Sequence, residues 1–169
     1  MTRPQAGDFG TFYQPYINLA TGENIETLIG NHSKTILDFI ETLPEIKADF
    51  SYADDKWTVK QLLQHIIDTE RIFVFRAITF AREDSVKLAG FDENLYAKNA
   101  PTSNRCLADL KKEFSLVRQS TNLFLLSLTD ENLQQKGTAS NHSISVNAIA
   151  FIIFGHSLHH IKVLQERYL

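Results

Sequence analysis

The most constraining feature of this sequence is a regular alternation of three- and four-residue steps between apolar side chains. On an α-helix this spacing gathers the apolar side chains on one face. Four stretches show it, at 23–43, 59–82, 102–128 and 145–167. In the third, the predicted buried face consists of Leu107, Leu110, Phe114, Val117, Thr121, Phe124 and Leu128. Because no convincing two-residue alternation is present, the sequence predicts an all-α four-helix bundle.

Local signals place the ends of these helices. Thr58 and Gln61 form the pattern of a capping box at the start of the second helix, and Ser145 is a plausible N-cap for the fourth. The third helix is predicted to begin after Pro101, capped by Thr102 or Ser103.

The connections also carry information. The segment 83–102 has about 20 residues and reaches roughly 60 Å when extended, enough to cross the bundle from end to end. It is therefore predicted to be a long crossover between the second and third helices. The composition of 137–143 indicates a turn and a short hairpin. We expect a single domain over 1–169, with residues 1–21 forming an aromatic arm that packs on the bundle.

Composition narrows the class of partner. The 169 residues carry 17 basic and 20 acidic side chains, with no basic cluster, which argues against nucleic acid as a partner. The single cysteine cannot form an internal disulfide, and the sequence shows no secretory signal. The longest apolar run, 148–154, is far shorter than the roughly 20 residues of a membrane-spanning helix. We therefore expect a cytoplasmic protein that acts neither on nucleic acid nor at a membrane.

Histidine spacing gives the first chemical hypothesis. His156 and His160 are four residues apart on the predicted inner face of the fourth helix, so both rings can reach one metal ion. The alternative is a pair of core histidines with satisfied hydrogen bonds. His159 lies about 100° away around the helix and is expected at the rim or surface, or behind a ligand.

A metal needs further ligands. His65, beside the apolar face of the second helix, is the preferred third histidine, and His32 on the first helix is its rival, with a core or pocket-wall position as the alternative. His142 lies in the predicted turn and is expected to be solvated.

Other residues are candidates for supporting roles. Glu70 interrupts an apolar face and predicts a buried ion pair, for instance with Arg76 or Arg71, or else a catalytic base. Asp68 is placed to orient His65 through a hydrogen bond, or else lies on a solvated surface. On the crossover, Tyr96 is a candidate to reach a substrate or to pack against the bundle, as are Asp92 and Glu93. Cys106 is expected to be small and partly buried.

Several runs of residues carry a family resemblance. They are Lys56-Trp57-Thr58-Val59, His65-Ile66-Ile67-Asp68-Thr69-Glu70-Arg71, Arg76, Ala81-Arg82, Gly90-Phe91-Asp92-Glu93, Tyr96 and Gly155-His156-Ser157-Leu158-His159-His160. With these residues the chain resembles the DinB-like (DinB/YfiT) superfamily. The resemblance implies an up-down-down-up four-helix bundle that binds a divalent metal, commonly nickel or zinc, through three histidines. Matched residue by residue, those ligands fall on His65, His156 and His160, which leaves His32 without a ligand role.

The resemblance also suggests activities. Characterised relatives include thiol-dependent S-transferases and an isomerase that use low-molecular-weight thiols, and relatives often form homodimers. We therefore expect a metal-dependent enzyme with an open three-histidine site, with thiol transfer favoured and hydrolysis by a metal-bound water as the alternative. Two non-catalytic hypotheses stay open: a metal-binding, stress-related homodimer, and a metal-free bundle with core histidines. A cavity at the histidines would favour an enzyme, whereas a fourth protein ligand would favour an inert site.

Overall fold

The computed structural model describes residues 1–83 and 86–169, and its four long helices form the predicted bundle. The elements in chain order are α1 Gln14–Leu19, α2 Ile25–Glu41, α3 Val59–Ala81, α4 Glu93–Asn99, α5 Leu107–Leu126, α6 Asp130–Gln134, β1 Lys136–Ala139, β2 His142–Ser145 and α7 Val146–Arg167. Helices α2, α3, α5 and α7 make the bundle. Within the part of the chain that the structure describes, no helix combines the length and apolar character needed to cross a membrane.

Contacts at the helix ends fix the relative directions of three bundle helices. Lys60, at the start of α3, donates to the carbonyl of Arg105, just before α5 begins, so these two neighbouring helices run in parallel. The hydroxyl of Tyr168, just after α7, donates to the carbonyl of Trp57, just before α3. Helix α7 is therefore antiparallel to α3.

The first bundle helix completes the topology. Lys111, in the first turns of α5, donates to the carbonyl of Glu41, the last residue of α2. Helix α2 is thus antiparallel to α5, and the order is up-down-down-up. Because parallel neighbours cannot be joined by a tight turn, this order requires the long crossover between α3 and α5.

The capping signals are confirmed, with one exception. Thr58 forms the predicted capping box, and the Ser145 side chain accepts from the backbone N–H of Ala148. Asn24 forms a further capping box, which was not predicted from the sequence, at the start of α2. The predicted start of the third helix was wrong. Residues Thr102–Asn104 make an isolated 3₁₀ turn, and α5 begins at Leu107 with Cys106 at its N-cap.

The exception has a local cause. Arg105 adopts an extended conformation that breaks the helical run, and capping residues look alike before a 3₁₀ turn and an α-helix. The same change leaves Cys106 exposed at the N-cap, not partly buried as expected.

The predicted apolar face of α5 is correct in its first half and rotates in its second. The buried residues are Leu107, Leu110, Phe114, Arg118, Thr121 and Leu125, while Val117 and Phe124 are only partly buried. The predicted spacing has a period of 3.5 residues, whereas an α-helix has 3.6, so the buried face moves by one position over several turns.

Helix α7 is the central element because the N-terminal arm covers it on the side away from the bundle. Residues 146–157 are all buried. At Gly155, an added Cβ would lie 2.0 Å from the carbonyl oxygen of Tyr16, so only glycine allows α1 to approach this closely. This contact brings the ring of Tyr16 to the histidine-rich half of α7.

The crossover and the hairpin lie against each other. Residues 84 and 85 of the predicted crossover lie outside the described residues. Leu88 donates to the carbonyl of Thr138 and accepts from the backbone of Ser140, which joins the crossover to the hairpin. The predicted hairpin is confirmed, with Ser140 and Asn141 at positive φ in its two-residue turn.

Candidate metal centre

Helices α3 and α7 bring His65, His156 and His160 together. The Nε2 atom of His156 lies 3.1 Å from Nε2 of His65 and 3.1 Å from Nε2 of His160. One nitrogen from each ring lies within 4.8 Å of the others. The four-residue spacing on α7 supplies two of the rings, and the antiparallel packing of α3 supplies the third.

The neighbours of His65 hold its ring against the other two. Thr69, one turn further along α3, places its hydroxyl 3.4 Å from Nδ1 of His65. The ring of Trp57 lies 4.7 Å from that of His65, measured between centroids.

Nδ1 of His160 is buried and has no hydrogen-bond partner among the described residues.

The convergence of three Nε2 atoms suits a metal ion better than mutual hydrogen bonding. A neutral imidazole has one N–H and one lone pair, so Nε2 of His156 cannot form good hydrogen bonds to both neighbours at once. In a tetrahedral zinc site with Zn–N distances of about 2.0–2.1 Å, the nitrogens are roughly 3.3 Å apart. The 3.1 Å separations are close to that value. The residues present therefore fit a divalent cation.

Burial keeps these histidines in the neutral form that binds metals. Desolvation lowers the pKa of His65 to about 4. It lowers the pKa of His160 to about 3, with smaller contributions from His65 and His159. Desolvation also lowers the pKa of His156 well below its usual value. At neutral pH all three rings are uncharged, and their lone pairs are available to a cation.

The three histidines border a cavity of roughly 360 Å³. Its wall is largely aromatic and comes from the N-terminal arm, α3, the crossover and the hairpin. The lining residues are Phe12, Tyr13, Tyr16, Trp57, His65, Thr69, Phe73, Arg76, Phe91, Glu93, Ser140, His142, His156 and His160. Among the described residues, no cysteine or carboxylate belongs to the histidine cluster, so the cluster leaves room for a ligand from the cavity.

Two of the other predicted site residues lie beside this cavity. Arg76 lines it directly. His159 does not line it, but its ring lies 5.0 Å from that of His160 and 5.5 Å from that of Tyr16, between centroids. His159 thus lies at the edge of the histidine cluster, outside the cavity wall.

Glu70 forms a buried ion pair, but with neither of the arginines suggested by the sequence. Its carboxylate accepts from Nε and Nη2 of Arg118 on α5, at 3.0 and 2.6 Å. Arg71 instead pairs with Glu113. Helical periodicity predicted that Glu70 is buried, whereas its partner depends on how α3 and α5 align, which periodicity within one helix does not specify.

The remaining candidates lie away from the histidines. Asp68 accepts from the side-chain amide of Gln64 and borders a different groove, together with Tyr96. His32 accepts from the backbone N–H of Thr21 at 2.8 Å, which ties the N-terminal arm to α2. The structure thus places neither an orienting Asp68 nor a pocket-wall His32 or Tyr96 beside the cluster.

Sequence reasoning missed most of the cavity wall. The sequence predicted an aromatic arm on the bundle, but not that Tyr13 and Tyr16 of this arm line the cavity, where the Tyr16 ring is 5.6 Å from that of His156. The density of aromatic residues between 9 and 16 was the available signal. It could not show which face of the bundle the arm would cover. His142 is exposed, as expected, but borders the cavity as well.

These features define a class: up-down-down-up four-helix bundles with three converging histidines beside a cavity. Residues 31–164 match the model of the DinB superfamily, and the chain belongs to that superfamily.

Structural comparison agrees on the fold. The chain is similar to YfiT from Bacillus subtilis, described as a probable metal-dependent hydrolase with an unusual four-helix bundle topology. The TM-score is 0.69 at 18% sequence identity, over 79% of this chain and 77% of YfiT. A search of curated proteins finds no match.

Proposed function

We propose that this protein is a metal-dependent enzyme that acts on a small molecule, with a divalent cation, zinc or nickel, held by His65, His156 and His160. The observation that carries the proposal is the convergence of three neutral imidazoles on the wall of a 360 Å³ cavity. A closed structural site would use a fourth protein ligand. None of the described residues supplies one.

The chain's own residues bind and orient, while the cation supplies the acid chemistry. When bound, a divalent cation lowers the pKa of a coordinated water or thiol and makes it a nucleophile near neutral pH. The Thr69 hydroxyl beside Nδ1 holds the His65 ring in place. Tyr13, Tyr16 and Phe73 form an aromatic part of the cavity wall beside the histidines, against which an apolar part of a substrate would pack.

Two reactions use the same arrangement. The family resemblance favours transfer of a low-molecular-weight thiol to an electrophilic substrate. The similarity to YfiT favours hydrolysis instead. The cluster contains no carboxylate among the described residues, so neither reaction has a general base in direct contact with the three histidines. We favour thiol transfer and keep hydrolysis as the second candidate.

Turnover assays distinguish these reactions. Protein without a histidine tag, loaded with zinc or nickel, is assayed with a panel of thiols and electrophiles and with a panel of esters and amides. We expect metal-dependent conjugation of a thiol, lost by at least about 100-fold in His156→Ala because a ligand is removed. His159→Ala is the matched control and retains activity, since His159 lies outside the cavity wall.

The other outcomes are equally definite. Metal-dependent hydrolysis without thiol transfer would contradict thiol transfer and support hydrolysis as the reaction. Stoichiometric metal binding without turnover of any panel would contradict an enzyme and favour the non-catalytic metal-binding module.

A further inference from the structure

Arg76 is a buried cation in the wall of the cavity, which the exposed Glu93 also lines. Arg76 on α3 is only 3 % exposed. Its Nη2 donates to the carbonyl of Ala89 at 3.0 Å and to the hydroxyl of Ser140 at 3.2 Å, and both acceptors are neutral. The guanidinium carbon lies 5.4 Å from the centroid of the Phe73 ring. No carboxylate of the described residues forms an ion pair with Arg76.

The other buried cations of the described chain are paired. Arg118 is held by Glu70 at 2.6 Å, and Lys60 by Asp49 at 2.7 Å. Burying a charge is costly unless an opposite charge and hydrogen bonds compensate. Among the buried cations of the described residues, Arg76 therefore differs from Lys60 and Arg118 in having no ion pair. The difference occurs where the side chain borders the candidate active site.

The position of Arg76 relates it to the histidines. His65 and Arg76 are eleven residues apart on α3, roughly 16 Å along the helix axis. Side chains on a helix lean toward its N-terminus, so Arg76 leans toward His65. Thr69 and Phe73 lie between the two on the cavity wall. An elongated molecule can thus contact the histidines at one end and the guanidinium at the other.

From this arrangement we infer that the substrate carries an oxyanion, a carboxylate or a phosphate, which Arg76 binds while an adjoining apolar part packs on the aromatic wall. The guanidinium has five N–H donors, and the two described hydrogen bonds involve Nη2 alone, so donors on Nε and Nη1 are available. Two oxygens of a carboxylate or of a phosphate match this donor geometry. Arg76 is then a binding residue that sets substrate class. Calling the ligand a substrate rests on the proposed function.

Matched small ligands test this inference. Binding of 3-phenylpropanoate, its neutral isostere 3-phenylpropanamide, and phenyl phosphate is measured by calorimetry, on both metal-loaded and metal-free protein. We expect at least one of the two anions to bind about tenfold more tightly than the amide, because charge-assisted hydrogen bonds are stronger than neutral ones. The tighter anion identifies the oxyanion.

Variants locate the effect. The preference disappears in Arg76→Gln, is partly retained in Arg76→Lys, and is unchanged in Arg71→Gln, an arginine on the same helix that borders a different groove. Thermal unfolding shows whether each variant folds, and Arg76→Lys keeps the test informative if Arg76→Gln is unstable. Equal binding of anions and amide by the native protein, or a preference that survives in Arg76→Gln, would overturn the inference.

The two proposals fail separately. An Arg76-dependent preference in protein that binds no metal would leave the anion site standing and remove the metal-dependent enzyme. Metal binding without an Arg76-dependent preference would remove the anion site and leave the metal-dependent enzyme standing.

Discussion

At the scale of single residues, the ion pair between Glu70 and Arg118 is a buried interaction outside the histidine cluster. Both side chains are almost fully buried. Arg118 also donates to the hydroxyl of Ser157 at 2.9 Å, which links α3, α5 and α7. Its Nη1 has no hydrogen-bond partner among the described residues, so the guanidinium depends on Glu70 for its charge compensation.

Removing Glu70 should therefore destabilise the protein strongly. We predict that Glu70→Ala lowers the free energy of unfolding by about 3–5 kcal/mol, because it leaves Arg118 buried and unpaired. Glu113→Ala, which removes a partner of Arg71 and Arg105 in a more exposed setting, should cost at most about 1 kcal/mol for each pair. Urea unfolding measures both. Similar values for the two variants would show that the buried pair has no special role.

The buried histidines give the metal-free protein a defined pH dependence. Burial lowers the pKa of His65 to about 4 and that of His160 to about 3, against 6.5 for an ordinary histidine. Between these values the unfolded chain binds more protons than the folded chain. Stability is therefore full above pH 6.5 and falls as the pH is lowered toward 4.

Urea unfolding with a chelator present, at several pH values between 7 and 4.5, tests this dependence. Each histidine should contribute up to about 1.4 kcal/mol per pH unit. His65→Gln removes one titrating group and should reduce the slope. An unchanged slope in His65→Gln would contradict the assignment.

At the scale of elements, the close contact between α1 and α7 positions the aromatic wall. Gly155→Ala should displace α1, because its Cβ would lie 2.0 Å from the Tyr16 carbonyl oxygen. We predict a loss of about 1–3 kcal/mol of stability, the usual cost of overpacking. In Gly30→Ala, the added methyl meets open space on α2, so this control should be neutral or stabilising by up to about 1 kcal/mol.

Thermal unfolding gives the stability of both variants. Fluorescence quenching of Trp57, which also lines the cavity, reports whether the wall has opened. If Gly155→Ala were as stable as the native protein, with Trp57 unchanged, the contact with α1 would not hold the wall in place.

The sequence predicted elements wherever the signals were local. The capping box at Thr58 and the N-cap at Ser145 depend on residues three positions apart, and both are confirmed. The signals failed where the outcome depended on other elements. The start of α5, the partner of Glu70 and the face covered by Tyr16 are all set by packing between segments distant in sequence, which periodicity within one helix cannot specify.

At the scale of the whole molecule, a homodimer stays a prediction, and the surface offers a place for it. Phe75 on α3 is 59% exposed, and Leu116 and Leu123 on α5 are 58% and 72% exposed. Exposed apolar side chains on neighbouring helices are typical of an interface. We predict that Leu123→Glu shifts a dimer toward monomer, and that Ile46→Glu, at a still more exposed position elsewhere, does not.

Sedimentation velocity measures this equilibrium. A monomer at all concentrations of the native protein, or a dimer unaffected by Leu123→Glu, would contradict the predicted interface.

The candidate site was also predictable only in part. The spacing of His156 and His160 suggested that both rings bind one metal ion. The family resemblance selected His65 over His32 as the third metal ligand. The aromatic cavity, and the lack of an ion-pair partner for Arg76 among the described residues, came from the tertiary structure, because the cavity joins the N-terminal arm, α3, the crossover and the hairpin.

Metal content is the measurement that bears most directly on this account. Protein without a histidine tag is loaded with zinc or nickel, dialysed and analysed by mass spectrometry for metal per chain. We predict roughly one ion per native chain, a clear loss in His65→Ala, His156→Ala and His160→Ala, and retention in His159→Ala and His32→Ala. Two results would contradict a metal centre at these three histidines. One is a native chain without metal, and the other is metal content in the variants of His65, His156 and His160 as high as in the variants of His159 and His32.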